Sequence, residues 1–202
     1  MIQTLNEMKE KYTFLRNDDN VQKLYHYFKD KKYMAIFFKQ FNCLISNLNS
    51  IEILVNANSI EDAFTIFRKY LETYFILMSV INHPDLVQEY LKHDQYITDK
   101  VMGYDKNKIK ELRTNHIDGF IEYGYIDKYL TERNFDKYNI HQVSKVASVE
   151  KYYIYYKKCN NFVHNNLTSI NVNLEEAKYA LEKGVNNTVK HLLFEINKII
   201  IN

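Results

Sequence analysis

The chain has 202 residues, of which 46% are hydrophobic and 26% are charged, as is typical of a globular protein of one or two domains. With 27 Lys and Arg against 25 Asp and Glu, the net charge is only +2, which argues against nucleic-acid binding through a strongly basic surface. The 4 Gly and 1 Pro are too few for the many turns of a β-rich fold, so the composition favours long helices.

The first twenty residues predict one short helix and the start of another. Apolar side chains recur at steps of three and four residues over positions 2–15, which is the spacing of one helix face. The run Asn17-Asp18-Asp19-Asn20 breaks this pattern and offers side chains that commonly cap a helix N-terminus.

A long amphipathic helix is predicted from Val21 to about Leu48, with a kink near Asp30 where charged residues interrupt the apolar spacing. The stretch 47–58 is polar and mixed. It is predicted to be a loop that holds one turn of helix at 51–55.

The most apolar helix is predicted to begin after Ser59, which opens a sequence resembling a capping box, and to end at about Asn82. Pro84 is tolerated in the first turn of a helix, so a further helix is expected from Pro84 to about Met102. Gly103 is expected to mark its end.

The second half of the chain is predicted to hold four more helices. Two of them lie near 107–118 and 126–133, in a less periodic stretch. Ser148 is expected to cap a helix that runs to about His164, and Asn173 is expected to cap the last helix.

Together these elements predict an all-α fold, a single bundle of about six to eight helices. No repeat or linker divides the sequence, so one α-helical domain is expected over 1–202. Its N-terminal helices are expected within 1–50, and its C-terminal helix is expected within 173–202.

Several protein classes are excluded by motifs that the sequence lacks. Cys43 and Cys159 form no CxxC pair or Cys/His cluster, so neither a disulfide framework nor a metal site is expected. No Gly-rich phosphate loop or nucleophile elbow occurs, and no cofactor is expected. There is no signal-peptide pattern, and the longest apolar run, 74–81, is under half the roughly 20 residues of a membrane span. We therefore expect a cytoplasmic protein that does not contact a membrane.

Two charged residues, Arg68 and Glu72, interrupt the apolar helix 59–82. They are four residues apart and so lie on one face, which Glu61 and Thr65 extend. Burying an unpaired charge costs several kcal/mol. One interpretation is therefore a partly exposed Arg–Glu pair, and the other is a polar pocket to which another helix contributes.

The predicted helix 149–164 carries residues that could complete such a pocket. Asn160 and His164 are four residues apart and leave the same face. Lys157 and Asn161 flank that face. A histidine beside amide and ammonium donors can act as a general acid or base, or can hold a phosphate. The alternative is a histidine at a helix end that packs on tyrosines and bonds a carbonyl.

These residues resemble the HEPN superfamily of small helical bundles. Its active members carry a motif of Arg, a polar residue that is often Asn, three further residues and His. The run Cys159-Asn160-Asn161-Phe162-Val163-His164 matches the Asn and His positions, whereas Cys159 occupies the Arg position. The resemblance implies a dimeric, metal-independent RNase, with the motif His and Arg of two subunits meeting around the scissile phosphate. It also implies a role in phage defence or in a toxin–antitoxin system.

The chain is also similar to a bacterial family of helical proteins of unknown function. Its members carry an early Arg-x-x-x-Glu helix, here Arg68 to Glu72, and a late Tyr-rich helix that ends in an aromatic residue, Val and His, here Tyr155 to His164. This resemblance covers about residues 55–170.

Two functional hypotheses follow. In the first, Arg68 replaces the missing motif arginine, and it, Lys157 or Lys158 stabilises the phosphate charge. Asn160 orients His164 or the phosphate, and His164 is the general acid or base for attack by the 2′-OH of RNA. The supporting residues are Glu72, Lys157, Lys158, Asn161 and Tyr155. In the second, the same cluster is a non-catalytic keystone or ligand pocket of an interaction or sensing module. The expected partners are RNA, a second copy of the chain, and an antitoxin or defence-complex subunit.

Overall fold

The computed structural model describes residues 2–103, 105–108, 110–111, 139–163 and 173–201. These residues contain helices and no β-strand, so the predicted all-α fold is confirmed. None of the described helices is long and apolar enough to cross a membrane. The α-helices are α1 (Ile2–Leu15), α2 (Asp18–Phe28), α3 (Lys31–Asn56), α4 (Ile60–Asn82), α5 (Leu86–Val101), α6 (Ile140–Val146), α7 (Tyr153–Val163) and α8 (Leu174–Ile201), and a 3₁₀ helix spans Glu150–Tyr152.

The chain divides into two compact units. One comprises Met1–Leu77 with Lys151–Asn202, and the other is Met78–Glu150. The single domain expected over 1–202 stays a prediction. Most residues of the two helices predicted near 107–118 and 126–133 lie outside the part of the chain that the structure describes.

The predicted kink near Asp30 is wrong, because the chain breaks there into two helices. Lys29 adopts a left-handed conformation with φ 57°, and its N–H donates to the carbonyl of Tyr25, which ends α2. The Asp30 side chain then accepts a hydrogen bond from the N–H of Lys32 and caps α3. At the other end of α2, Asn17 accepts from the N–H of Asn20 at 3.0 Å, which confirms the predicted cap.

The loop predicted over 47–58 is also wrong, since α3 continues to Asn56. Leu48, Ile51 and Val55 remain on its buried face, at the spacing set by the preceding turns. The burial of this apolar stripe outweighs the weak helix propensity of the Asn and Ser residues between its members.

In the first compact unit, α1 packs against α2, α3 and α8. Helix α4 is buried on most of its surface, as its apolar sequence predicts, and it contacts α8. The Tyr70 hydroxyl is 3.1 Å from the Thr188 hydroxyl. At Gly184, a Cβ would lie 2.7 Å from Cζ of Phe67, so this position needs glycine for the two helices to approach.

In the second unit, the end of α4 bonds to α5 and α6. The hydroxyls of Ser79 and Tyr90 are 2.8 Å apart, and Nδ2 of Asn82 donates to the carbonyl of Ala147 at 2.8 Å. Helix α5 begins at Leu86, two residues after the predicted Pro84, and Gly103 follows its end with φ 68°.

The cap predicted at Ser148 is wrong. Ser148 has φ 57°, and its N–H donates to the carbonyl of Lys145, so that it closes the C-terminus of α6. The predicted helix 149–164 accordingly begins as the 3₁₀ turn and becomes α-helical at Tyr153. Asn173 accepts from the N–H of Glu175 at 3.0 Å and confirms the predicted cap of α8.

A candidate functional site on helices α4 and α7

Helix α4 presents Arg68 and Glu72 together at the surface of the first unit. Nε of Arg68 lies 3.6 Å from Oε1 of Glu72, as expected for residues one helical turn apart. Their side chains are 28% and 38% exposed, so both charges keep partial contact with water. An ion pair this exposed contributes at most about 1 kcal/mol to stability.

Tyr156 of α7 joins these two side chains into one network. Its hydroxyl oxygen accepts hydrogen bonds from Nε and Nη2 of Arg68, at 3.1 and 2.9 Å. The same hydroxyl donates to Oε1 of Glu72 at 2.9 Å. Tyr156 is 7% exposed, and its hydroxyl therefore bridges a cation and an anion at the edge of the core.

The network keeps Arg68 charged and Tyr156 neutral at neutral pH. Burial lowers the pKa of the Arg68 guanidinium, but the hydrogen bond to Tyr156 and the negative charge of Glu72 outweigh it, so that this pKa is raised. Burial, and then the negative charge of Glu72, raises the pKa of the Tyr156 hydroxyl to about 12. Tyr156 is therefore neutral near pH 7, where it can position Arg68 but cannot serve as a general base.

Cys159, which occupies the position of the motif arginine, is a buried thiol. It is 0% exposed, and burial raises its pKa to about 12, although the positive charge of Arg68 acts in the opposite direction. The thiol is therefore neutral and does not offer a nucleophile. Arg68 is bonded to Tyr156, which precedes Cys159 by three residues in α7, so its guanidinium lies near the position of the motif arginine.

Asn160 follows Tyr156 by one turn of α7. Its Oδ1 is buried and has no hydrogen-bond partner among the described residues. Such an atom costs free energy unless a donor reaches it, so Asn160 can still accept a bond. His164 lies outside the described residues, and of Asn161 only the backbone, within α7, is described.

The sequence profile of a family of unknown function, DUF5677, matches residues 34–179. The chain belongs to this family. The matched range contains α4 and α7, and hence Arg68, Glu72, Tyr156 and Asn160. No curated protein and no solved structure shows a significant match to the chain. The DUF5677 match makes no connection with the HEPN superfamily, and that resemblance stays a prediction.

The remaining predicted residues lie on the exposed and α8-facing sides of α7. Lys157 and Lys158 are exposed, and Nζ of Lys157 is 5.5 Å from the ring centre of Tyr153. The hydroxyl of Tyr155 accepts a hydrogen bond from Nδ2 of Asn187 at 3.0 Å. Tyr155 is therefore held by α8 and is not part of the network around Arg68.

Within the part of this DUF5677 member that the structure describes, no group of three or more His, Cys, Asp or Glu side chains is placed to hold a metal ion. The chemistry available at α4 and α7 is that of a guanidinium paired with the Glu72 carboxylate, of exposed ammonium groups, and of amide or hydroxyl dipoles. The guanidinium and the ammonium groups can bind and stabilise anions.

Tyr156 is the residue that sequence reasoning missed. It is one of four tyrosines within 152–156, and composition alone does not distinguish them. A usable signal was present, because Tyr156 precedes Asn160 by four residues and so shares the face on which Asn160 and His164 were placed.

Proposed function

We propose that this DUF5677 member is a HEPN-like, metal-independent endoribonuclease that acts as a toxin or as a phage-defence (abortive infection) effector. The observation that supports this proposal best is the position of Arg68. Its guanidinium is bonded to Tyr156 of α7, three residues before Cys159, which stands where the motif arginine is missing. A cation from α4 is therefore available near the motif that lacks its own.

In this proposal the 2′-OH of RNA attacks the adjacent phosphorus while the bond from phosphorus to the 5′-oxygen breaks. His164 takes the proton from the 2′-OH, and a protonated His164, supplied by the second subunit, gives a proton to the leaving 5′-oxygen. Arg68 stabilises the charge that develops on the phosphate oxygens, and Asn160 orients the reacting groups. The products are a 2′,3′-cyclic phosphate and a 5′-hydroxyl end.

The other proposed residues support binding and not the chemical step. The ammonium groups of Lys157 and Lys158 are exposed, so they can neutralise neighbouring phosphates and no buried ion pair has to be broken first. Glu72, through Tyr156, holds the guanidinium in place. The proposed partners are RNA, a second copy of the chain, and an antitoxin or defence-complex subunit.

One observation favours a second function, a non-catalytic interaction or ligand-sensing module in a defence or toxin–antitoxin system. The charge of Arg68 is already balanced by Glu72, and two of its N–H groups are already bonded to Tyr156. A polar network that only stabilises the fold has the same features. In that case Arg68→Ala lowers thermal stability or partner binding, and there is no cleavage to lose.

The experiment that separates the two functions pairs expression with RNA cleavage in the presence of EDTA. The RNase proposal predicts growth arrest and cleavage by the wild type, both lost in His164→Ala. His26→Ala is the matched control, because His26 is an exposed residue of α2 with no proposed role. Cleavage retained by His164→Ala contradicts the mechanism, and absence of cleavage by the wild type favours the sensing module.

A further inference from the structure

A cavity of about 280 Å³ lies between α4, α7 and α8 in the first compact unit. Its apolar wall is mostly aromatic and is formed by Phe64, Phe67, Tyr155 and Phe162, with Ala177 and Ala180 of α8. Phe64 precedes Arg68 by one helical turn, and Tyr155 is the neighbour of Tyr156 in the chain. On both helices the cavity is therefore lined by residues that lie next to members of the Arg68 network along the chain.

Three of these aromatic rings are fixed by contacts with their neighbours. Phe64 and Phe162 stack in parallel, with ring centres 4.0 Å apart and an angle of 3° between their planes. Tyr155 is bonded to Asn187 through its hydroxyl. A flat ring that enters the cavity therefore meets aromatic surfaces that are already ordered, which lowers the entropic cost of binding.

Opposite charges lie at the rim of this cavity. Lys158 of α7 and Glu176 of α8 line it, and both are exposed. Neither forms an ion pair with the other or with another described residue. A ligand can therefore use the Lys158 ammonium for an anion and the Glu176 carboxylate for an N–H donor, without breaking an existing pair.

We propose that this cavity is a nucleobase site, which takes one base of an RNA strand or of a free nucleotide. The base stacks on the aromatic wall, Lys158 contacts its phosphate, and Glu176 accepts a hydrogen bond from the base. Ligand pockets are commonly about 300–1,000 Å³. At about 280 Å³ this cavity lies close to the small end of that range, so it suits one flat ring system and not several bases. The choice of RNA as the source rests on the proposed function.

The carboxylate at the rim sets a preference among the bases. Guanine offers a ring N–H and an exocyclic amine side by side, so it can donate two bonds to Glu176. Uracil has no exocyclic amine, and its one ring N–H on the pairing edge lies between two carbonyl oxygens that a carboxylate repels. The site therefore selects guanine over uracil.

The test is a binding assay that does not depend on cleavage. The probes are fluorescent 2′-O-methyl pentamers, one of uridines only and one with a central guanosine, together with GMP and UMP as free nucleotides. The methylated 2′-oxygens of the pentamers cannot attack phosphorus, so binding of the pentamers can be measured even if the protein is an active nuclease. We expect the guanosine pentamer to bind the wild type about ten-fold more tightly than the uridine pentamer.

Two variants act on the cavity without removing a core side chain. Ala180→Leu fills it from α8 and is expected to weaken binding of the guanosine pentamer by about ten-fold or more. Glu176→Gln is expected to remove most of the preference for guanosine, whereas the matched control Glu175→Gln, one residue earlier in α8, keeps it. Thermal unfolding of each variant checks that the fold is retained.

Unchanged affinity in folded Ala180→Leu, or measurable but equal affinity of the wild type for the two pentamers, overturns the proposal. Binding of GMP but not of the pentamer, lost in Ala180→Leu, supports the nucleotide site and contradicts RNA as its source. If the pentamer binds as expected while unmodified RNA stays uncut, the nuclease proposal fails and the base site stands. If RNA is cut and Ala180→Leu binds and cuts as the wild type does, only the base site fails.

Discussion

Replacing Tyr156 by phenylalanine tests the network that joins α4 to α7. The substitution removes one oxygen atom and keeps the ring, which packs at 7% exposure. Two hydrogen bonds from Arg68 and one to Glu72 are lost. The two charged side chains remain, still one helical turn apart, and can pair with each other directly.

The expected loss of stability follows from the exposure of these partners. A hydrogen bond to a charged group contributes about 1.5–3 kcal/mol when it is well buried. Here water reaches Arg68 and Glu72, which are 28% and 38% exposed, and can replace part of what is lost. We therefore expect Tyr156→Phe to lower the free energy of unfolding by about 1–2 kcal/mol, or the Tm by about 2–8 °C.

Urea and thermal unfolding, followed by circular dichroism, measure this change. Tyr179→Phe is the matched control, because Tyr179 is 66% exposed and its hydroxyl has no described partner. A double-mutant cycle with Arg68→Met is expected to give a coupling energy of about 1 kcal/mol, since the two residues share their bonds. Equal stability of Tyr156→Phe and the wild type, with no coupling, refutes the view that this hydroxyl holds the helices together.

Three further predictions concern thiols, packing and pH. Ellman's reagent is expected to react quickly with the exposed Cys43 and slowly with the buried Cys159, so two fast thiols in the folded protein contradict the burial. Gly184→Ala is expected to lower the free energy of unfolding by about 1 kcal/mol, because the cost of crowding Phe67 exceeds the gain in helix propensity from alanine. A variant that is more stable than the wild type contradicts this prediction. The folded-state pKa of Tyr156, about 12 against an ordinary 10.0, makes the folded protein hold this proton more tightly. The stability that comes from this raised pKa is complete below pH 10 and is lost as the pH rises through 12. The free energy of unfolding in urea should therefore fall more steeply with alkaline pH for the wild type than for Tyr156→Phe. Parallel plots of this free energy against pH for the two proteins contradict the prediction.

The sequence predicted those helices whose boundaries depend on local chemistry. Asn17 and Asn173 cap α2 and α8 as their side chains suggest, and the even apolar spacing of 2–15 becomes α1 without change. The break at Lys29 was not predicted, because a lysine carries no signal for a left-handed conformation. The loop at 47–58 failed for the opposite reason, since tertiary burial of three apolar residues overrides the polar residues between them.

The candidate site was predicted in part. The spacing of Arg68 and Glu72 showed that they share a face of α4. Because partly buried charges need polar partners, a contact with another helix was also expected, and α7 supplies it. Which residue of α7 meets them depends on the rotation of that helix, and the helix begins four residues later than predicted, at Tyr153. The spacing of Tyr156 and Asn160 places both on one face of α7, but whether that face meets Arg68 could not be read from the sequence.

The central claim is that Arg68 serves as the cation of a metal-independent ribonuclease. Its most direct test is the single-turnover rate of RNA cleavage by Arg68→Met relative to the wild type, with EDTA present and both proteins shown to be folded. We predict a loss of about 10²–10³-fold, the usual effect of removing one group that stabilises transition-state charge. A folded Arg68→Met that cleaves at the wild-type rate, or a wild type that does not cleave RNA, contradicts the claim.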